Sequence, residues 1–328
     1  MRRRLLLREP SLVATVEVQA ARGRPARRPS TWAGAEARTA CLENPAVQAV
    51  RPIVRGRVAH PGALDLVLES LLRQARAGYG LSRFFPAMTG LLVPYGLTEE
   101  ERLRARDVAL RHGLSGVHVI DQQAAAAEGS GLNFQDPGGR MVVDFGGGKT
   151  SVTVLSMGGV VASHWSDTGS LDLDEALSRY VERRHRLRIS QFEAERIKIE
   201  IGSVYPGERP RGIDVVGVQT RSGNPHKVSM DDGEVRDVLI DGCEPLVQAL
   251  QQGFKTVPPE LASDILRAGV TLLGGGALLR GLPEFLGERT GLRFHVVDDP
   301  LNAVVRGAVR VLWASTRADD EERAAKGG

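Results

Sequence analysis

Leu64, Val67, Leu68, Leu71, Leu72 and Ala75 return every three or four positions, the repeat that lays side chains along one helix face. The same spacing joins Leu173, Ala176, Leu177, Tyr180 and Val181, and again positions 301, 304, 305, 308 and 312. Between such stretches lie short apolar or alternating runs, at Leu91–Pro94, Val117–Ile120, Ser151–Ser156, Val270–Leu273 and Arg293–Val297, which predict strands. Thr98 with Glu101, and Ser190 with Glu193, form capping boxes; the first opens a helix ending near Gly113, and the second one through Ala194, Ile197 and Ile201. A helix also starts over Asp121–Ala127, and a long one is expected from Gly233 to Phe254. Pro258 and Pro259 suit a helix start, and Gly269 its end. Ile213–Met230 alternates around a Ser-Gly-Asn-Pro turn, as a hairpin does, whereas residues 20–36 read as a loop or poorly ordered insertion. Strands alternating with helices imply an α/β fold with largely covered sheets, and no fixed short repeat is visible.

The 328 residues suit two domains or one divided domain, and 42% hydrophobic content with only 5% aromatics predicts aliphatic cores. A formal charge of +3 and a pI near 9.1 invite a nucleic-acid reading. Yet five of the 43 basic residues are lysine, and the Arg22–Arg28 and Arg183–Arg188 clusters lack interleaved aromatics for base stacking. A solvated arginine-rich surface is the better reading, and no nucleic-acid partner is expected. Cys41 and Cys243 lie far apart and fit no metal spacing, as in a reduced cytosolic protein. No apolar run approaches the ~20 residues that span a bilayer, and the three leucines of MRRRLLLREP are too few for a secretory leader.

Candidate chemistry concentrates in MVVDFGGGKT, Met141–Thr150. An apolar strand runs into Asp144, then Gly146, Gly147 and Gly148 turn the chain, and Lys149 closes the bend. Glycines let successive amides crowd an anion, and such a nest suits phosphate. Asp144, at the strand end, is placed to orient the water shell of Mg²⁺. A second triplet, Gly274–Gly276 followed by Ala277, repeats the order of buried strand, three glycines and helix start, so a flat ring or ribose can rest on backbone there. Between the triplets, Glu195 and Lys198 share one helical face. They are either a surface ion pair or a pair that meets ribose hydroxyls.

MVVDFGGGKTSVTVLS, AERIKIEIGSVYPGE, PPELASDI, LLGGGALLRGL and DDPLNAVVRGAVRVL, in this order, resemble the bacterial actin family of MreB and Mbl cell-shape proteins, from about Arg51 to Ala314. The resemblance implies an actin-like two-lobed α/β fold with ATP and Mg²⁺ between the lobes. The first lobe would take residues 1–140 and 301–316, with 18–50 a small subdomain or loop. The second would take 141–300, with a small subdomain at about 174–234, and 317–328 would be a tail. It further implies head-to-tail homopolymers at the inner face of the cytoplasmic membrane, guiding the cell-wall synthesis machinery. Carried over by position, Gly146–Gly148 and Lys149 would form the second phosphate loop, and Asp144 would orient the metal. Glu195, Arg196 and Lys198 would lie at the ribose, and Gly274–Ala277 at the adenosine.

Departures from the family pattern bear on activity. The family's opening strand pair, with its first phosphate loop, precedes the segment matched by Leu6–Glu17, so this chain reads as an N-terminally reduced member, or as one whose start lies upstream. The family's Ile-Glu-Glu-Pro helix start is here Ile120-Asp121-Gln122-Gln123. Gln122 takes the position that aligns the attacking water, and an amide orients water but accepts no proton. Lys149 replaces a usual threonine, its charge either offsetting the lost loop or simply solvated. The expectation is an ATP cleft of reduced competence, at most a weak ATPase. The alternative is a non-polymerising pseudo-ATPase scaffold serving a fuller homologue. Leu81, Phe84 and Phe85 fall where the family's first lobe inserts an apolar loop into lipid, or else they form a core at a bend.

Overall fold

The computed structural model describes residues 7–16, 30–44, 47–79, 88–94, 97–133, 135, 137–207 and 209–326. The chain divides into two compact units, one of residues 1–91 and 97–119, the other of 92–96 and 120–328.

In the first unit, β1 (Val13–Val16) lies between β2 (Ser30–Ala33) and β3 (Gln48–Val50), both antiparallel to it, with α1 (Ala35–Glu43) alongside. Over 30–36 the expected loop is instead β2 and the start of α1, an edge strand and a helix start hidden by small and polar residues, while 20–29 lie outside the described residues. A short hairpin, β4 (Ile53–Val54) and β5 (Arg57–Val58), leads to α2 (Pro61–Tyr79), the helix foreseen from its leucine spacing. Strand β6 (Met88–Val93) is followed by α3 (Glu99–Arg111), then β7 (Ser115–Asp121), which pairs with β6. The Thr98 capping box is closed in both directions: Glu101 N–H donates to Thr98 Oγ1 at 3.3 Å, and Thr98 N–H donates to Glu101 Oε2 at 2.9 Å. His112, at the end of α3, meets Asp65 of α2 at 2.8 Å.

The second unit is built on five strands in the order β10-β9-β8-β14-β15. These are β8 (Arg140–Phe145), β9 (Thr150–Ser156), β10 (Gly159–Ser166), β14 (Val270–Leu273) and β15 (Phe294–Val296). β8 runs parallel to β14 and antiparallel to β9, so both glycine triplets leave the same end of adjacent strands. Alternation sends Met141, Val143, Phe145, Val152, Val154 and Leu272 to one core. That core also takes in α5 (Ser170–His185), α6 (Gln191–Glu200), α7 (Asp232–Lys255), α8 (Pro259–Ala268) and α9 (Leu282–Thr290). Val142, Leu155 and Leu273 face the other way, against Ala126 and Ala127 of α4 (Gln122–Gly129) and Ala303 of α10 (Pro300–Lys326).

Helices α4 and α10 touch through backbone. A Cβ on Gly307 would lie 1.8 Å from Ala125 O, and one on Gly129 would lie 2.2 Å from Ala303 O. β12 (Gly212–Gln219) and β13 (Pro225–Asp231) form the foreseen hairpin, extended by β11 (Leu187–Arg188). The Ser190 box closes in one direction only. Ser190 Oγ accepts from Glu193 N–H at 3.1 Å, but the Glu193 carboxylate is drawn away to Arg196 and to Val216 N–H of β12.

Candidate nucleotide site

The turn 146–149 is held from behind. Gly146 N–H donates to Lys149 O at 2.9 Å, closing the bend, while Gly146 O and Gly147 O accept from Ser170 N–H (2.9 Å) and Leu171 N–H (2.8 Å) at the start of α5. This contact needs a bare backbone opposite, since a Cβ on Gly169 would sit 2.4 Å from Gly147 O. The loop carbonyls thus satisfy the α5 amides, which have no intrahelical acceptor. Among the described residues, the amides of Gly147, Gly148 and Lys149 have no protein acceptor. Three successive unclaimed amides in a glycine turn fit an anion such as phosphate.

Asp144, the last residue but one of β8, has 4% of its surface exposed, and its Oδ2 accepts from Gln122 Nε2 at 2.7 Å. Burial pushes its carboxyl above the usual carboxylate range, and the Gln122 hydrogen bond opposes this only in part. Gln122 and Gln123 start α4 directly after β7, with Asp121 as N-cap. Gln123 donates to Ser163 of β10. Gln122, Gln123, Lys149, Thr150, Ser151, Trp165 and Pro94 line a cavity of about 20 Å³, enough for about one water. Lys149 Nζ stands 5.9 Å from the Trp165 ring centroid and 3.7 Å from Asp167 Oδ1.

The second triplet follows β14 into one turn of 3-10 helix, Gly275–Leu278, where a helix start was expected; α9 opens only at Leu282. A single turn has little dipole to offer an anion. The glycines here answer to the neighbouring strand. A Cβ on Gly274, where φ is 88°, would lie 2.5 Å from Asp144 Oδ1, and one on Gly276 would lie 2.3 Å from the Phe145 ring. Gly275 faces Leu301, and Ala277 is buried. The second triplet thus packs on Asp144 and Phe145, the two residues that precede the first triplet.

On α6, Lys198 does not reach across to Glu195 in a simple surface pair. Its Nζ meets Asp174 Oδ1 of α5 at 2.7 Å and donates to Ser170 O at 2.8 Å. Asp174 is 1% exposed. Lys198 therefore fixes α6 to the first turn of α5, the turn that backs the 146–149 loop. Glu195 is half-buried on the same helix. Arg196 is occupied by Glu193 (2.6 Å) and by Asp214 O of β12 (2.6 Å). Burial of Glu193 disfavours its charge, but the Arg196 guanidinium and Val216 N–H outweigh that and lower its pKa. Leu81, Phe84 and Phe85 lie outside the described residues.

The MreB/Mbl protein family model matches residues 2–320. The chain belongs to the MreB/Mbl family. It is 37% identical to the cell shape-determining protein MreB of Escherichia coli (strain K12) over 309 residues, 94% of this chain and 87% of that relative. It is 32% identical to the cell shape-determining protein Mbl of Bacillus subtilis (strain 168), over 84% of this chain and 82% of the relative. Among solved structures, MreB5 of Spiroplasma citri bound to ADP superposes with a TM-score of 0.82 at 26% identity, covering 95% of this chain and 91% of that one. A MamK double helical filament gives a TM-score of 0.70 at 18% identity, over 91% and 90% of the two chains, which shows the shared fold. The fold of this MreB/Mbl member is therefore actin-like.

Four residues at or beside the site escaped the sequence reading. Asp174 and Trp165 are separated in sequence from the lysines they meet, and no local spacing links them. Leu278 (57% exposed) and Ile199 (63% exposed) are large apolar residues left in solvent beside Ala277 and Lys198. Their signal was an apolar residue at an otherwise polar position of a short helix. A larger cavity of about 330 Å³ lies elsewhere in the same unit, lined by Tyr205, Arg209, Arg211, Arg280 and Glu284 among others, and includes none of the predicted site residues.

Proposed function

We propose that this chain is a filament-forming, cell-shape cytoskeletal protein whose second unit carries one wall of an adenine-nucleotide cleft of reduced hydrolytic competence. The supporting observation is the row of unclaimed amides at Gly147, Gly148 and Lys149, turned away from α5. In this reading the loop amides hold phosphate, and Glu195 and Lys198 lie toward the ribose. The Gly274–Ala277 turn would lie toward the base, with half-buried Gly275 and exposed Leu278 as the surface it meets. Bound Mg²⁺ would supply charge neutralisation at the phosphates, with Asp144 holding its water shell.

Gln122 spends its amide N–H on Asp144, which leaves Oε1 to accept from a water in the one-water cavity. It orients that water without taking its proton, so hydrolysis is slow. The reading includes two lobes, 1–140 with 301–316 and 141–300, a division by family likeness and distinct from the contact units above. It also includes head-to-tail self-assembly at the membrane face, with Leu81, Phe84 and Phe85 as lipid contacts, and a role in directing cell-wall synthesis. Head-to-tail contacts that do not close naturally give filaments.

Gln122 also favours a second reading, a non-polymerising pseudo-ATPase scaffold. Ultracentrifugal pelleting with and without ATP separates the two. ATP-dependent pelleting supports the filament, and unchanged solubility in both conditions supports the scaffold.

A further inference from the structure

Lys149 is the one lysine in the 146–149 turn, and its position is unlike that of a solvated surface cation. Its side chain is only 20% exposed, and its ammonium is held over the Trp165 ring. Asp167, its carboxylate partner among the described residues, is 3.7 Å away and itself 56% exposed, a weak and screened pairing. The backbone N–H of Lys149 closes the row of unclaimed amides, and its side chain lines the small cavity together with Gln122. Gln122 in turn holds Asp144. A fixed positive charge therefore stands where the anion-holding amides, the water-orienting amide and the metal-orienting carboxylate converge.

We propose that Lys149 takes over the charge-neutralising work of the divalent cation, so that this chain binds nucleoside di- and triphosphates without Mg²⁺. The inference rests on the nucleotide reading above. A lysine ammonium is a compact point charge with three donors, well suited to bridge phosphate oxygens. A charge-assisted hydrogen bond in a partly dry site gives a binding gain of about tenfold or more. Trp165 supports the lysine stem and holds the ammonium toward the loop by cation–π attraction. Asp167 acts as a resting partner that phosphate displaces.

The test is calorimetric titration of ATP and of ADP into the full chain, in excess EDTA and separately in Mg²⁺. It is run for the unaltered protein, Lys149→Thr and Lys149→Met, with circular dichroism confirming the fold of each. The expected result is affinity within about threefold between the two buffers for the unaltered chain. Lys149→Thr should lose about tenfold or more in EDTA and recover in Mg²⁺, while Lys149→Met should lose affinity in EDTA likewise. Binding of the unaltered chain only in Mg²⁺, or Lys149→Thr matching it in EDTA, overturns this inference alone. Absence of binding in both buffers by a folded, unaltered chain overturns the nucleotide reading, and this inference with it.

Discussion

Asp144 and Lys198 each place a charge in the interior, with opposite consequences. Asp144 is buried with one amide donor, so the folded state favours its protonated form. Its folded pKa lies above the unfolded value, so the folded state binds that proton more tightly. The cost is absent at pH values below the ordinary carboxylate range and grows as pH rises through it towards the folded pKa. Asp144→Asn should therefore be more stable than the unaltered chain at pH 7, by about 1 kcal/mol or more. That advantage should vanish in acid, as thermal melts across pH 3–8 would show. A constant difference at every pH would contradict the assigned cause. Lys198 instead compensates buried Asp174. Lys198→Ala removes the cation paired with that buried carboxylate and should cost about 3–5 kcal/mol in urea unfolding, whereas replacing both partners by apolar residues should cost far less. The sequence singled out the glycine turn, Asp144 and Lys198 as candidate chemistry. Asp174 and Trp165 were not, because their partners come from other elements.

At the scale of elements, the sequence marks where local rules dominate and misleads where packing does. The Thr98–Glu101 box is local and closes as its residues dictate. The equivalent box at Ser190 fails because Glu193 finds a stronger partner in Arg196 and an amide on β12. β10 was missed because its exposed valines and small polar residues lack clean alternation, and a register shift interrupts its pairing with β9. The tail of α10 beyond 312 has no apolar stripe to announce it, yet the helix runs to Lys326. Glycine weakens a helix interior, yet the structure uses Gly129 and Gly307 for backbone contact. Gly307→Val should separate these helices and destabilise the unit by about 2–3 kcal/mol, lowering the urea midpoint. An unchanged midpoint would contradict the contact.

For the whole molecule, the α/β class and the actin-like family followed from ordered motifs spread along most of the chain. The proposed membrane contact rests on Leu81, Phe84 and Phe85, which lie outside the described residues. Replacing Phe84 and Phe85 by serine should abolish co-pelleting with anionic liposomes and leave the circular dichroism spectrum intact; unchanged pelleting would remove that part of the account. The central claim is that a nucleotide phosphate rests on the amides of Gly147, Gly148 and Lys149. Hydrogen exchange of the peptide spanning 144–152, followed by mass spectrometry with and without saturating ATP, tests it most directly. The account predicts marked slowing of exchange across that peptide when ATP is present. Exchange there that ATP leaves unaltered, while another segment becomes protected or none does, would contradict it.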